Sequence, residues 1–262
     1  MNATSSNSVL LTRDGAVATV TLNRPERLNA LDLAMWHRLD EVLREIEADP
    51  SLRAVLVRGA GQAFAAGADL AEFATARATA ADAEAYGRVM VAALHRLRDL
   101  PLPTVAMIRG ACVGAGLEIA IMCDLRIAAE GSRFGVPIQK VGVVMPWPEL
   151  GDLIETVGRA TALEILLEGR LFDAAEAAAK GLVTRVVPTD RLESEAEDTL
   201  RRLTHGAPTS HRLHKRMARR LMDARPLSPE EWREAYAAVE SADYREGLAA
   251  FVEKRKPRFS GR

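Results

Sequence analysis

A strand, a glycine-rich loop and a helix follow one another twice in this chain, around Gly59 to Asp69 and around Gly110 to Glu118. Alternating units of this kind argue for an α/β fold, because a helix after each strand covers one face of a mostly parallel sheet. In the first unit Ala54 to Val57 is the buried strand. In the second, Val105 to Ile108 is the strand, and Gly110, Gly114 and Gly116 interrupt it before an apolar helix over Leu117 to Cys123. Two β-rich runs precede these units, Val9 to Arg13 and Val17 to Leu22, separated by the hairpin signal Asp14-Gly15. Leu31, Met35, Leu39, Val42 and Ile46, three or four apart, predict an amphipathic helix over Leu28 to Ile46, and Val89, Ala93 and Leu97 predict another. From Leu192 the strand signals vanish, and helices are expected over Leu200–Leu203, Ser210–Leu221, Pro229–Val239 and Tyr244–Phe251. The chain thus divides into an α/β core over 1–191 and a helical C-terminal subdomain over 192–262, which folds over the core or mediates assembly.

Charge and cysteine usage exclude several classes. Among 262 residues, 35 Lys and Arg nearly cancel 36 Asp and Glu, which argues against a broadly basic nucleic-acid surface. Cys112 and Cys123 lie in an apolar stretch and read as buried, reduced thiols. Met1 to Leu10 lacks a basic, then apolar, secretory pattern, and no apolar run approaches the roughly 20 residues of a membrane span. The expectation is a cytoplasmic protein with no membrane partner. Of the five histidines, His211 and His214 are spaced to share a helix face, but they lie in a basic run without a carboxylate or cysteine beside them, so no metal site is expected. A solvated helix face is the default reading of that run, from His211 to Arg216 with Arg219 and Arg220.

The two loops carry the chemistry. Gly61 to Leu70 and Arg109 to Glu118 are rich in small residues that let a ligand approach the backbone, and the second opens a helix whose first N–H groups are unsatisfied. One N–H from each loop aimed at a single oxygen makes an oxyanion hole. The other reading of the same glycines is tight turns and close helix packing. Neither loop carries a nucleotide-binding fingerprint, and no Gly-x-Ser-x-Gly elbow is present.

In order, these loops resemble those of the enoyl-CoA hydratase/isomerase, or crotonase, family. So do Leu22 to Leu31, Phe64 to Leu70, Gly110 to Asp124, Phe134-Gly135-Val136-Pro137, Leu166 to Arg170, Ala178 to Val183 and Phe251 to Phe259. The resemblance implies a spiral of ββα units with a C-terminal helical subdomain, and an enzyme acting on acyl-CoA thioesters. Coenzyme A is then part of the substrate and no separate cofactor is expected. It implies Ala66 and Ala115 as the N–H donors of the oxyanion hole. Arg27, Leu28, Ala30, Gly67, Ala68, Asp69 and Leu70 would line the CoA groove, and Gly114, Pro137 and Ile138 the substrate site. Assembly as a homotrimer or dimer of trimers follows from the same likeness, with Phe251 and Lys254 reaching a neighbour's CoA.

Glu118 matches the first of two glutamates that share acid–base work in family hydratases. Read without the likeness, it is also an acid complementing a helix N-terminus. The second glutamate's position holds Ile138, which neither activates water nor carries a proton. Gln139 beside it is expected to point the other way, and a position that supplies an aspartate in some isomerases holds Pro146. The nearest remaining acid is Glu149, read either as a second catalytic acid or as a solvated acid opening a helix. Trp147 and Pro148 either narrow the acyl pocket or pack their loop. The expected function is therefore an enoyl-CoA hydratase or isomerase. Decarboxylation or thioester hydrolysis on the same hole, and non-catalytic acyl-CoA binding, are the alternatives.

Overall fold

The computed structural model describes residues 7–262, so the reading of Met1 to Leu10 as non-secretory lies mostly outside the described residues. Asp14-Gly15 forms the expected hairpin: β1 (Val9–Asp14) pairs antiparallel with β2 (Val17–Leu22), and Gly15 takes φ +52°, where glycine is unstrained. Further strands run over Ala54–Gly59 (β3), Thr104–Ile108 (β4), Ala111–Val113 (β5), Leu125–Ala129 (β6), Arg133–Gly135 (β7), Phe172–Asp173 (β8) and Arg185–Val187 (β9). The helices are Leu33–Glu47 (α1), Phe73–Ala76 (α2), Ala80–Asp99 (α3), Ala115–Ile121 (α4), Trp147–Glu168 (α5, interrupted at Gly158), Ala174–Ala179 (α6), Leu192–His205 (α7), Pro208–Arg220 (α8), Pro229–Ala237 (α9) and Ala242–Glu253 (α10).

One sheet has the order β1-β2-β3-β4-β6-β9, parallel from β2 onward, and a second has the order β5-β7-β8. The large sheet is covered on both faces, which is why β3 and β4 read as unbroken apolar runs. Val55, Val57, Ala106 and Ile108 point into the main core, where α1 contributes Met35, Trp36, Leu39, Leu43 and Ile46. Each of these Val, Ile, Leu and Met side chains stabilises the fold by roughly 1.5–3 kcal/mol through burial. Ala54, Leu56, Val105 and Met107 point the other way, onto Leu192, Ala196 and Leu200 of α7. The first helix past residue 191 therefore packs as a layer over the core.

Three features depart from the sequence expectations. The first helix begins at Leu33, not Leu28, because Leu28 and Asn29 adopt φ +49° and +58° and Asp32 caps the helix by accepting from the Met35 N–H at 2.8 Å. Strands β5 to β9 carried no recognisable signal. They are short, and β6 holds Arg126, whose guanidinium donates to the Leu182 carbonyl at 2.7 Å. The basic run on α8 is not a solvated face. Lys215 pairs with Asp124 at 2.7 Å, Arg219 with Asp99 at 2.9 Å, and Arg216 and Arg220 pair with Glu234 and Glu231. Both cysteines are free and buried, and no helix among the described residues is long and apolar enough to cross a membrane.

Candidate active site

The two glycine loops are laced together by backbone hydrogen bonds. Phe64 N–H donates to Arg109 O at 2.7 Å, Ala65 N–H to Ala111 O at 2.9 Å, and Val113 N–H to Ala65 O at 3.0 Å. Gly116 permits this approach, since a Cβ there would lie 2.5 Å from the Ala65 carbonyl oxygen. Asn29 fixes the first loop from behind. Fully buried, its side-chain amide donates to the carbonyls of Ala60, Ala63 and Phe64 at 2.9, 2.8 and 3.2 Å, and its Oδ1 accepts from Arg24 N–H.

Ala66 is not free to serve as an oxyanion donor, because its N–H donates to the Leu28 carbonyl at 2.9 Å. Two residues on, the chain bonds to Leu31 from either side of Ala68: Leu31 N–H donates to Gly67 O and Asp69 N–H to Leu31 O. The Ala68 N–H is left without an acceptor among the described residues. In the second loop, Gly114 caps α4 with φ +51° and ψ −121°, a conformation that favours glycine, and the Ala115 N–H heads the helix without an acceptor.

Ala68 and Ala115 both line a cavity of about 150 Å³. Of the residues singled out in the sequence, Ala66, Gly67, Ala68, Leu70, Gly114, Ala115, Glu118, Pro137 and Ile138 line it. Arg27, Leu28, Ala30 and Asp69 do not. Arg27 and Leu28 are exposed, and Asp69 is occupied by Arg24 at 3.0 Å and by the Ala71 N–H. Phe251 and Lys254 also lie on the surface, with Phe251 82 % exposed. Trp147 does not narrow the pocket, since its side chain is 89 % exposed and the cavity is walled by Val141, Val143, Val144, Met145 and Pro146 instead. Residues 138–141 form a 3₁₀ turn rather than an extended segment, and Gln139 is held away by donating to Glu168 O at 2.9 Å.

Glu118 projects from the first turn of α4 into this cavity. Burial, and then the charge of Glu149, push its carboxyl up to about 7, while Arg77 opposes them. Glu149 is not a solvated acid. It is 2 % exposed, lies outside the cavity walls, and neither of its carboxyl oxygens has a hydrogen-bond partner. Burial raises its pKa as well. One helical turn on, the Asp152 carboxyl is engaged by His95 Nε2 at 3.1 Å and by Arg98 at 2.9 Å, which hold its pKa down against the effect of burial. Among the described residues no cluster of His, Cys, Asp and Glu is arranged to hold a metal.

Sequence reasoning missed Phe73, Arg77 and Met90, which complete the cavity wall. Arg77 had a signal: it is the one cation in the run Phe73 to Ala81, otherwise mostly Ala and Thr. Larger clefts open along α8 and its neighbours, the two biggest of about 440 and 570 Å³. The buried acid in the wall of the first, Asp243, is fully engaged by the N–H groups of Thr209, Ser260 and Gly261.

Known proteins resemble this chain along nearly its whole length. The family model described as enoyl-CoA hydratase/isomerase matches residues 12–262. A probable enoyl-CoA hydratase of Mycobacterium tuberculosis is 37 % identical, covering 97 % of this chain and 98 % of that protein. A putative enoyl-CoA hydratase of Thermus thermophilus is 39 % identical, covering 94 % and 98 %. Among solved structures, an enoyl-CoA hydratase/carnithine racemase from Magnetospirillum magneticum is 52 % identical with a TM-score of 0.96, covering 97 % of this chain and 96 % of that one.

Proposed function

The chain belongs to the enoyl-CoA hydratase/isomerase family, and from that premise we propose that it transforms an enoyl-CoA thioester through an enolate, with Glu118 moving the proton. The observation that carries this is a carboxyl titrating near 7 in a cavity where the Ala68 and Ala115 N–H groups have no other acceptor. A proton leaving the acyl chain puts negative charge on the thioester oxygen. Two N–H donors, one of them at the positive end of α4, stabilise it there. A carboxyl with a pKa near the working pH both takes and returns a proton, which is what acid–base catalysis requires.

Among the described residues Glu118 is the only acid lining the cavity. That favours double-bond isomerisation over hydration. Glu118 takes a proton from one carbon of the acyl chain, the double bond shifts with charge passing onto the thioester oxygen, and the proton returns at the other end of the allyl unit. Hydration needs a second group to position water, and Ile138 supplies none. Glu149 acts on this reading as a positioning residue: its charge behind Glu118 sets the proton affinity of the acid that touches substrate. The exposed apolar side chains of α10, Leu248, Phe251 and Val252, support the expected assembly into trimers, in which Phe251 and Lys254 would meet a neighbour's CoA.

The test is a panel of thioesters read by product mass. A 3-enoyl-CoA should gain the absorbance of a conjugated enoyl thioester, and crotonyl-CoA should lose it more slowly. Decarboxylation or hydrolysis of malonyl-type thioesters would assign the same hole to another reaction. Binding with no product from any thioester would make the protein a carrier, and unchanged turnover in Glu118→Gln would remove Glu118 from the chemistry.

A further inference from the structure

Arg77 stands apart from the other partly buried cations. The side-chain Nε atoms of Arg38, Arg77 and Arg109 are all buried without a hydrogen-bond partner. Arg38, however, pairs with Glu41 and Glu45, and Arg109 with Glu193. Arg77 forms no ion pair among the described residues. It is held instead by two aromatic rings. Its guanidinium carbon lies 4.2 Å from the Phe73 ring centre and 4.1 Å from that of Tyr86, and those rings meet edge to face. Tyr86 is fixed in turn by accepting from Trp36 Nε1 at 3.2 Å in the core. Such stacking orients a planar cation without neutralising it.

This cation lines the same cavity as Glu118. The rest of the wall, from Pro137 and Ile138 through Val143, Val144 and Met145, is apolar. A purely hydrocarbon acyl tail would leave the guanidinium partly out of water with only the more distant charges of Glu118 and Glu149 to balance it, at a desolvation cost that nothing on that tail offsets. The small cavity, about 150 Å³, suits a short tail. We propose that Arg77 binds a carboxylate on the acyl tail, so that the preferred substrates are CoA monothioesters of short dicarboxylic acids. This rests on the acyl-thioester reading of the cavity and adds the chemical class of the tail. Arginine is suited to the task, because its planar fork meets both oxygens of a carboxylate.

Equilibrium binding of two saturated thioesters of equal chain length, succinyl-CoA and butyryl-CoA, tests this without turnover. Wild-type protein should bind succinyl-CoA about tenfold or more tightly than butyryl-CoA, the gain expected of one charge-assisted contact. In Arg77→Gln the preference should fall to about twofold or less, through loss of succinyl-CoA affinity, and Arg77→Lys should keep part of it. A thioester carrying a quaternary ammonium tail should bind worst of the three to the wild type. Equal affinities for succinyl-CoA and butyryl-CoA in the wild type would overturn the proposal. So would an equal weakening of both in Arg77→Gln, which would make Arg77 a counter-ion for the acid pair alone. If neither thioester binds the wild type, the thioester reading fails and takes the proposal with it, an outcome distinct from binding without preference.

Discussion

The two sides of the cavity differ in kind. One carries charge, Glu118 on α4 and Arg77 after α2, with Glu149 buried outside the cavity wall. The other, from Pro137 to Pro146, presents only apolar side chains, with Ile138 where the family resemblance implies a second glutamate. A site with acids on both sides can hold a water between them. A site with charge on one side moves a proton along that side and excludes water from the other. The contrast makes the reaction a property of one residue position as much as of the fold.

Removing the charged side's acid should have the largest effect. Glu118→Gln should lower turnover by roughly 10²- to 10⁴-fold with acyl-CoA binding retained, measured by steady-state kinetics beside calorimetry. Deleting a donor comes next. Proline is tolerated at the first position of a helix, so Ala115→Pro removes the N–H that heads α4 while keeping the helix, and turnover should fall roughly 10²- to 10³-fold. An intact circular-dichroism spectrum beside that loss would assign it to the missing donor. Ile138→Glu breaks the contrast directly, and the ratio of hydrated to isomerised product should rise about tenfold as the apolar side gains a group that can hold water.

Smaller effects test the coupling between the acids. The rate limb set by Glu118 should lie near pH 7, where its carboxyl titrates, and should move to lower pH in Glu149→Gln, because a neighbouring negative charge is gone. A limb that does not move would make Glu149 a packing residue. Stability carries the same sign. The folded pKa of Glu118 is raised from 4.5 to about 7, so the folded state binds the extra proton and loses stability as pH rises across that interval. Glu118→Gln should therefore be more stable than the wild type by about 1–3 kcal/mol above pH 7, with the pH-dependent part of that gain gone below about pH 4.5. A difference independent of pH would mean that the carboxyl titrates at its ordinary value.

What the sequence made legible was whatever depends on local pattern. Asp14-Gly15 specified its hairpin, the three-and-four spacing of Met35 to Ile46 specified α1, and the two glycine loops announced closely approached backbone. The sequence pointed to a free N–H at Ala66, whereas Ala66 is paired with Leu28 and the N–H without an acceptor is that of Ala68, because which N–H stays free depends on where Leu28 and Leu31 cross the loop. No periodicity reports that crossing. Glu149 was ambiguous for the same reason, since a glutamate in the first turn of a helix faces solvent unless distant chain covers it. Arg77 was passed over entirely. Its meaning comes from Phe73 and Tyr86 stacking on it and from a cavity assembled out of segments far apart in the chain.

The measurement that bears most directly on the central claim is exchange of the C2 protons of a saturated thioester, butyryl-CoA or succinyl-CoA, with deuterium from solvent. It reports enolate formation alone, whatever reaction follows. Wild-type protein should wash deuterium into C2, faster as pH rises through 7, and Glu118→Gln should fall to the uncatalysed background. Exchange at the same rate in both proteins, or in neither, would contradict a Glu118-driven enolate held by the two backbone donors.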